Sequence, residues 1–314
     1  MAVNIYGKSP EIQESIRTAE IIAATDVTTL IMGETGTGKE LFAKYIVEKS
    51  PRKNKAFITI NCAALADTLI ESALFGHKKG AFADAIEAHR GYIAEAHGGT
   101  LFLDEIGELS LKAQSQLLRF IETGECQKVG SNSVQHYNVR ILAATNKNLL
   151  DEANAGRFRQ DLFYRLNIVP LELAPLRERQ GDIAVLQQHF FQDLVKKYRL
   201  TPPSISKLAQ DYINRYTWNG NVRELKNFCE RMLILFAGKT IEITNLPAEI
   251  RKQKRPNSQY YFELPKHGIQ LEALEMDLYE QAIQNSHGNK SAAARLLGLS
   301  RDAFLYRLKK YGLR

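Results

Sequence analysis

The sequence predicts an α/β fold: a parallel sheet covered by helices, followed by a helical subdomain and a small all-helical block. Three observations carry this prediction. Short, continuous apolar or β-branched runs alternate with helical stretches through the first half of the chain. Such runs suit strands buried on both faces, and their alternation with helices builds parallel sheets. A glycine-rich segment follows the first run directly and opens a helix, and after Pro175 the strand signal stops.

The strand candidates are residues 28–32, 57–60, 100–103 and 139–144, with a fifth at roughly 168–173, ending before Pro175. Helix candidates at 39–48 and 111–122 lie between them. Residues 182–198, 204–216 and 221–237 then show helical apolar spacing, with no strand expected among them. Residues 251–258 are basic, polar and interrupted by Pro256, a linker composition. The expected division is an α/β core at 1–174, a helical subdomain at 175–250, a basic linker at 251–270 and a C-terminal domain at 271–314.

With 44% hydrophobic and 25% charged residues over 314 positions, the composition is that of an ordinary globular protein. It excludes a disordered chain, a collagen-like fibre and a small disulfide scaffold. The net charge of +7 is unevenly placed. Twelve basic residues stand against six acidic ones from Arg251 onward, and thirty against twenty-nine before it. That asymmetry points to a polyanion-binding tail on a neutral body. Cys62, Cys126 and Cys229 form no C-x-x-C pair, as suits buried thiols in a reducing cytosol. The first residues lack the apolar stretch of a signal peptide, and no run approaches the ~18 apolar residues of a membrane span, so a soluble, cytoplasmic protein is expected.

The strongest chemical signal is Gly33-Glu34-Thr35-Gly36-Thr37-Gly38-Lys39, set between a strand and a helix. The glycines let backbone N–H groups curl around phosphates, and Lys39 supplies a point charge to the β and γ groups. Glu40 stands where Ser or Thr usually holds Mg²⁺. A second signal is Gly98-Gly99-Thr100-Leu101-Phe102-Leu103-Asp104-Glu105, an apolar strand ending in two carboxylates beside that loop. Asp104 would organise Mg²⁺ and Glu105 would polarise the attacking water, making ATP hydrolysis the leading chemistry.

These motifs, together with Phe75-Gly76-His77, Ile106-Gly107 and Phe158-Arg159-Gln160-Asp161-Leu162-Phe163-Tyr164-Arg165-Leu166, resemble the AAA+ domain of bacterial enhancer-binding proteins, the ATPases that activate sigma-54 RNA polymerase. The resemblance covers essentially the whole chain. It implies an AAA+ P-loop parallel sheet with a helical lid, and it accepts Glu40, which the family commonly has. It likens Asn146 to the first sensor near the γ-phosphate and Asn61 to the residue restraining Glu105. Arg159 and Arg165 resemble arginine fingers reaching a neighbour's ATP site, and Arg223, in Trp218-Asn219-Gly220-Asn221-Val222-Arg223-Glu224-Leu225, the second sensor. Asn219 stands where that motif usually has Pro. The resemblance begins at Tyr6-Gly7, placed with the nucleotide-binding residues, and no sensing domain is expected before it. Fingers acting in trans imply a homo-oligomer, with a hexameric ring expected.

One stretch departs from the family. Its loop contacting sigma-54 reads Gly-Ala-Phe-Thr-Gly-Ala, whereas this chain has Gly80-Ala81-Phe82-Ala83-Asp84-Ala85. Phe82 is kept, Ala83 removes a hydroxyl, and Asp84 replaces a flexible glycine with a charge. Two readings follow: a remodeller of sigma-54 holoenzyme, or a DNA-binding regulator that no longer engages sigma-54 and uses nucleotide for assembly or sensing.

The C-terminal block reads as helices at 271–284, 289–297 and 300–311, the last two forming a helix-turn-helix around Gly298. Between Lys290 and Arg314 there are seven basic residues and one acidic residue, Asp302. Ser300 suits an N-cap. Arg301, Asp302 and Ala303 occupy the first turn, where base edges are read, while Arg307, Lys309 and Lys310 suit phosphate contacts. Residues 288–300, including Ser291, resemble the Fis-like domains ending such regulators, which implies double-stranded DNA as partner and dimerisation through 271–284. A chaperone-type AAA+ ATPase with an interaction tail is the remaining alternative.

Overall fold

The computed structural model describes residues 3–64, 67–81, 87–252 and 268–312. Phe82, Ala83 and Asp84, and most of the expected linker, lie outside the described residues. The chain forms two compact units, Met1–Gln253 and Lys254–Arg314.

The first unit runs α1 (Pro10–Ala23), β1 (Thr29–Met32), α2 (Lys39–Lys49), β2 (Phe57–Asn61), α3 (Asp67–Phe75), α4 (Tyr92–Glu95), β3 (Thr100–Asp104) and α5 (Leu111–Thr123). A short hairpin of β4 (Glu125–Gln127) and β5 (Val134–His136) follows, then β6 (Arg140–Thr145), α6 (Leu149–Asn154), α7 (Gln160–Leu166) and β7 (Val169–Glu172). Five strands pair in parallel in the order β2-β3-β6-β1-β7.

The three inner strands are continuously apolar because both faces are covered. Leu30, Leu101, Leu103, Ile141 and Ala143 enter one core with α3, α5 and α7. Their sequence neighbours Ile31, Phe102, Leu142 and Ala144 enter the other with α1 and α2. This is the period-two alternation of a strand, with apolar residues required on both sides. Pro170 is tolerated because β7 is an edge strand paired only with β1. In this order β1 has β6 on one side and β7 on the other, and the carboxyl ends of β1, β3 and β6 share one edge. That edge is where open α/β sheets bind ligands.

The rest of the first unit is helical: α8 (Asp182–Tyr198), α9 (Lys207–Arg215), α10 (Asn221–Phe236) and α11 (Ala248–Arg251). They pack around Trp218, which is fully buried and meets Tyr216 and Phe228 edge-on at 5.0 and 5.5 Å. The sequence expectation needs correction here. The helix expected from residue 204 starts at Lys207, because the Ser206 hydroxyl caps it by accepting from the Ala209 N–H. Ser204–Ile205 (β8) instead pairs in parallel with Thr240–Ile241 (β9), although no strand was expected in this region.

The second unit contains α12 (Leu271–Asn285), α13 (Lys290–Leu296) and α14 (Arg301–Lys310) around Tyr279, Ala282, Ala293, Ala294, Phe304 and Leu308. Ala293 and Ala294 are small enough for α12 and α13 to approach closely. Among the described residues no helix is long and apolar enough to cross a membrane.

Candidate functional site

β1 ends at Met32, opposite Thr145 of β6, and the Gly33 N–H donates to the Thr145 carbonyl at 3.3 Å. The chain then turns through Gly36 and Gly38, with φ of 82° and 108°. At Gly36 an added Cβ would lie 2.2 Å from the Gly220 carbonyl, so close approach of the helical region demands glycine. At Gly38 it would meet nothing within 4 Å, and the left-handed backbone alone is the constraint. The Thr37 N–H and hydroxyl both donate to the Glu34 carbonyl, at 3.3 and 2.8 Å. α2 starts without a side-chain cap, which leaves its first N–H groups open to an anion.

Lys39 is buried in this turn and donates to the carbonyls of Gly33 at 2.9 Å and Glu34 at 3.4 Å. Its Nζ lies 3.9 Å from Glu105 Oε1. Burial lowers the ammonium's pKa, opposed by the charges of Glu105 and Asp104. Glu40 is exposed and pairs with Lys44 at 2.6 Å.

Asp104 ends β3, and Glu105 follows in the left-handed region at φ 53°. A non-glycine residue held there is strained. The turn leaves Glu105 facing Lys39 through one oxygen and accepting the Asn146 N–H through the other, at 3.3 Å. Burial raises the Asp104 pKa, and the neighbouring Glu105 charge raises it further. Asn146, just past β6, donates from Nδ2 to the Thr35 hydroxyl at 2.9 Å, tying a third strand end to the phosphate-type loop. A cleft of about 430 Å³ opens over Gly38, Lys39, Asp104 and Glu105 and reaches Phe190, Arg223 and Lys226.

Other residues singled out in the sequence fall in different places. Asn61 lines the cleft, but its Oδ1 accepts from the Ala63 N–H at 2.9 Å and does not touch Glu105. The turn leaving β2 uses that oxygen for its own closure, while the side chain stays in the cleft lining beside Asp104 and Glu105. Arg223 reaches the cleft, and its N–H donates to the Gly36 carbonyl at 3.3 Å. Arg159 and Arg165 are exposed: the first pairs with Asp161 at 2.7 Å and Ser115 at 3.0 Å, the second with Glu122 at 3.3 Å. Tyr6 and Gly7 lie against α8 and not in the cleft. Tyr6 stacks on His189 at 3.6 Å, its carbonyl accepts from Arg179, and a Cβ on Gly7 would meet Asp182 at 2.5 Å.

Arg177 went unnoticed in the sequence. Its guanidinium forks onto both Glu34 oxygens, at 2.9 and 2.6 Å, across 143 positions. The Arg177 fork, helped by Asn221, holds the Glu34 carboxyl down at about 2. No periodicity or spacing marks such a pair.

In the second unit, the Ser300 hydroxyl caps α14 through the Ala303 N–H, as its position suggested, and Asn289 caps α13 through the Ser291 and Ala292 N–H groups. Phe304 and Leu308 face inward. Arg301, Asp302, Tyr306 and Lys309 are exposed, and Ala303 is half-buried. Two of the expected phosphate contacts have intramolecular partners: Arg307 donates to the Tyr279 hydroxyl at 3.0 Å, and Lys310 lies 4.8 Å over the Tyr311 ring. The reason is helical spacing. Arg307 follows Phe304 by three residues, at the margin of the buried stripe. Tyr306, 73% exposed, is the outward aromatic that a count of basic residues could not reveal.

Comparison with known proteins places the chain. Residues 5–172 match the sigma-54 interaction domain, 177–260 the AAA+ ATPase lid domain, and 270–311 the bacterial regulatory proteins of the Fis family. The chain is 43% identical over 306 residues to the transcriptional regulatory protein ZraR of Escherichia coli K12, covering 98% of itself and 68% of ZraR. It is 40% identical over 310 residues to the nitrogen fixation protein AnfA of Azotobacter vinelandii, covering 99% of itself and 58% of AnfA. The crystal structure of NtrX from Brucella abortus in complex with ATP resembles it with a TM-score of 0.75 at 30% identity, covering 99% of this chain and 70% of that one.

Proposed function

This chain belongs to the sigma-54 interaction family, with an AAA+ lid and a Fis-family helix-turn-helix region, and from that premise we propose that it hydrolyses ATP to remodel sigma-54 polymerase holoenzyme at promoters to which its C-terminal helices bind. The observation that carries the reading is the convergence of Lys39, which opens α2, with Glu105 and Asn146, just past the ends of β3 and β6. The NtrX relative with bound ATP supports the nucleotide.

In this reading the ATP phosphates lie at the open N-terminus of α2, among the N–H groups of the glycine turn, with Lys39 exchanging its carbonyl partners for phosphate oxygens. Asp104 would hold Mg²⁺, which neutralises phosphate charge. With Asp104 as its protein ligand, the ion would take its remaining oxygens from phosphate and water. Glu105 accepts a proton from the attacking water, and the Asn146 N–H keeps that carboxylate aimed into the cleft. Arg223 meets the phosphates from the lid side. Arg159 and Arg165 leave their surface pairs to enter a neighbouring subunit's site, which makes the working form a ring, a hexamer by analogy with the family. Arg301, Asp302, Ala303 and Tyr306 face base edges, while Ser291 and Lys309 serve the DNA backbone.

The test is reconstituted open-complex formation with sigma-54 holoenzyme on a promoter carrying the mapped binding site. ATP-dependent opening supports the proposal. ATP hydrolysis and DNA binding without opening overturn it in favour of the second reading, in which Ala83 and Asp84 have cost the partner loop its sigma-54 contact.

A further inference from the structure

α10 begins in an unusual way. Its first residue, Asn221, is fully buried yet sits at φ 53°, and Trp218, three residues earlier, sits at φ 48°. Two non-glycine residues in the left-handed region persist only where the surroundings over-determine them. Here the Asn221 side chain supplies that restraint. Its Oδ1 accepts from the Leu176 N–H at 2.8 Å, in the segment that leads from the sheet to the lid. Its Nδ2 donates to the Thr35 carbonyl and to Glu34 Oε2, both at 3.1 Å. One amide thus joins the glycine turn, the sheet-to-lid connection and the lid helix. The helix has no side-chain cap of its own; the N–H groups of Val222 and Arg223 donate to the Gly36 carbonyl instead, at 3.0 and 3.3 Å.

We infer that Asn221 is a positioning residue that makes the glycine turn part of the lid helix, so that nucleotide bound at residues 33–39 moves the lid through Asn221. This rests on the proposed nucleotide site. A shift of Thr35 or Glu34 toward a phosphate either carries Asn221 with it or leaves buried polar groups unpaired, and the second is costly. The Arg177 fork on Glu34 adds a second tie beside the first.

The chain carries its own reporter. Trp218 is the one tryptophan in the sequence, buried in the lid core and hydrogen-bonded through its backbone carbonyl to the Asn221 N–H at 2.7 Å. Asn221→Gly keeps the left-handed backbone free of strain while deleting the amide. ADP binding is measured by calorimetry, and Trp218 emission is read at saturating ADP, in the full chain. The expected result is a clear emission change in the parent. Asn221→Gly should bind ADP with an affinity loss of roughly tenfold or less, because the amide holds the loop and does not itself contact nucleotide, and lose most of the emission change. Arg177→Met, altering an exposed fork, should show an intermediate change and serves if Asn221→Gly does not fold. An undiminished emission change in Asn221→Gly, or in Arg177→Met when it stands alone, overturns the inference. So does a parent that binds ADP with no emission change. A parent that binds no ADP in the calorimeter overturns the nucleotide site first, and the inference with it.

Discussion

Replacing Glu105 with glutamine should separate nucleotide binding from turnover. The glutamine keeps the length of the side chain and can still accept the Asn146 N–H, so the tie between the ends of β3 and β6 survives. It loses the negative charge 3.9 Å from Lys39, in a pair whose side chains are only 7% and 20% exposed. At an effective dielectric constant of about 20 that attraction amounts to about 4 kcal/mol. Desolvation of the pair offsets most of it, leaving a net gain to Lys39–phosphate attraction of no more than about 1.4 kcal/mol. ATP should therefore bind with equal or up to tenfold higher affinity, while the loss of a positioned base cuts turnover by about 10²–10⁴-fold, or roughly 2.7–5.5 kcal/mol in the barrier. A fluorescent ATP analogue gives the affinity and phosphate release gives the rate, with circular dichroism confirming the fold. Turnover within tenfold of the parent would refute the assignment of Glu105 as base, and weaker binding would refute the electrostatic reasoning.

Glu34, held at about 2 against an ordinary 4.5, contributes stability that is present above about 4.5 and lost as pH falls toward 2. The melting-temperature gap between the parent and Arg177→Met should narrow across that window, and a gap independent of pH would argue against the pairing. Ser300→Ala removes the cap of α14 and should cost about 1 kcal/mol, read as a lower midpoint for the C-terminal helices in a denaturant titration followed by circular dichroism. In DNA binding, Lys309→Ala should lower the slope of log affinity against log salt by about one ion. Arg307→Ala should lower it by less, because the Tyr279 hydroxyl ties one guanidinium nitrogen back to α12 while the charge remains. Mixing Arg159→Ala or Arg165→Ala protein with Lys39→Ala protein should restore part of the ATPase activity if sites are shared between subunits; no recovery at any ratio, with assembly verified, counts against shared sites.

The parts of the fold that sequence reveals are those where one local rule suffices. β1, β3 and β6 are apolar on both faces, so they read as buried strands, and the glycine turn declares itself through spacing and its place between strand and helix. The β4–β5 hairpin is invisible by the same rule, since Val134–His136 is exposed throughout and carries no apolar alternation. β8 and β9 are too short to show a period. For the candidate site, Lys39, Glu105 and Asn146 were legible because each sits at or just past the end of a recognisable element. Asn61 reaches the cleft lining, but that its oxygen closes the turn after β2 is visible only in the folded chain. Arg177 and Asn221 act across 143 and 187 positions, through contacts that exist only once the chain has folded.

The strand register has a bearing on how preparations of this protein are judged. Met32 stands opposite Thr145, Asn61 opposite Asp104, and Leu103 opposite Ala143, so the residues that gather over the cleft depend on three separate pairings. A slip of one residue in any of them turns the side chains of that strand to the other face and withdraws its terminal group from the site. Such a slip would also exchange residues between the two cores that cover the sheet, so the cleft and the packing behind it depend on the same register. If the proposed ATP hydrolysis holds, the specific rate of turnover would report the fraction of molecules whose sheet has paired correctly.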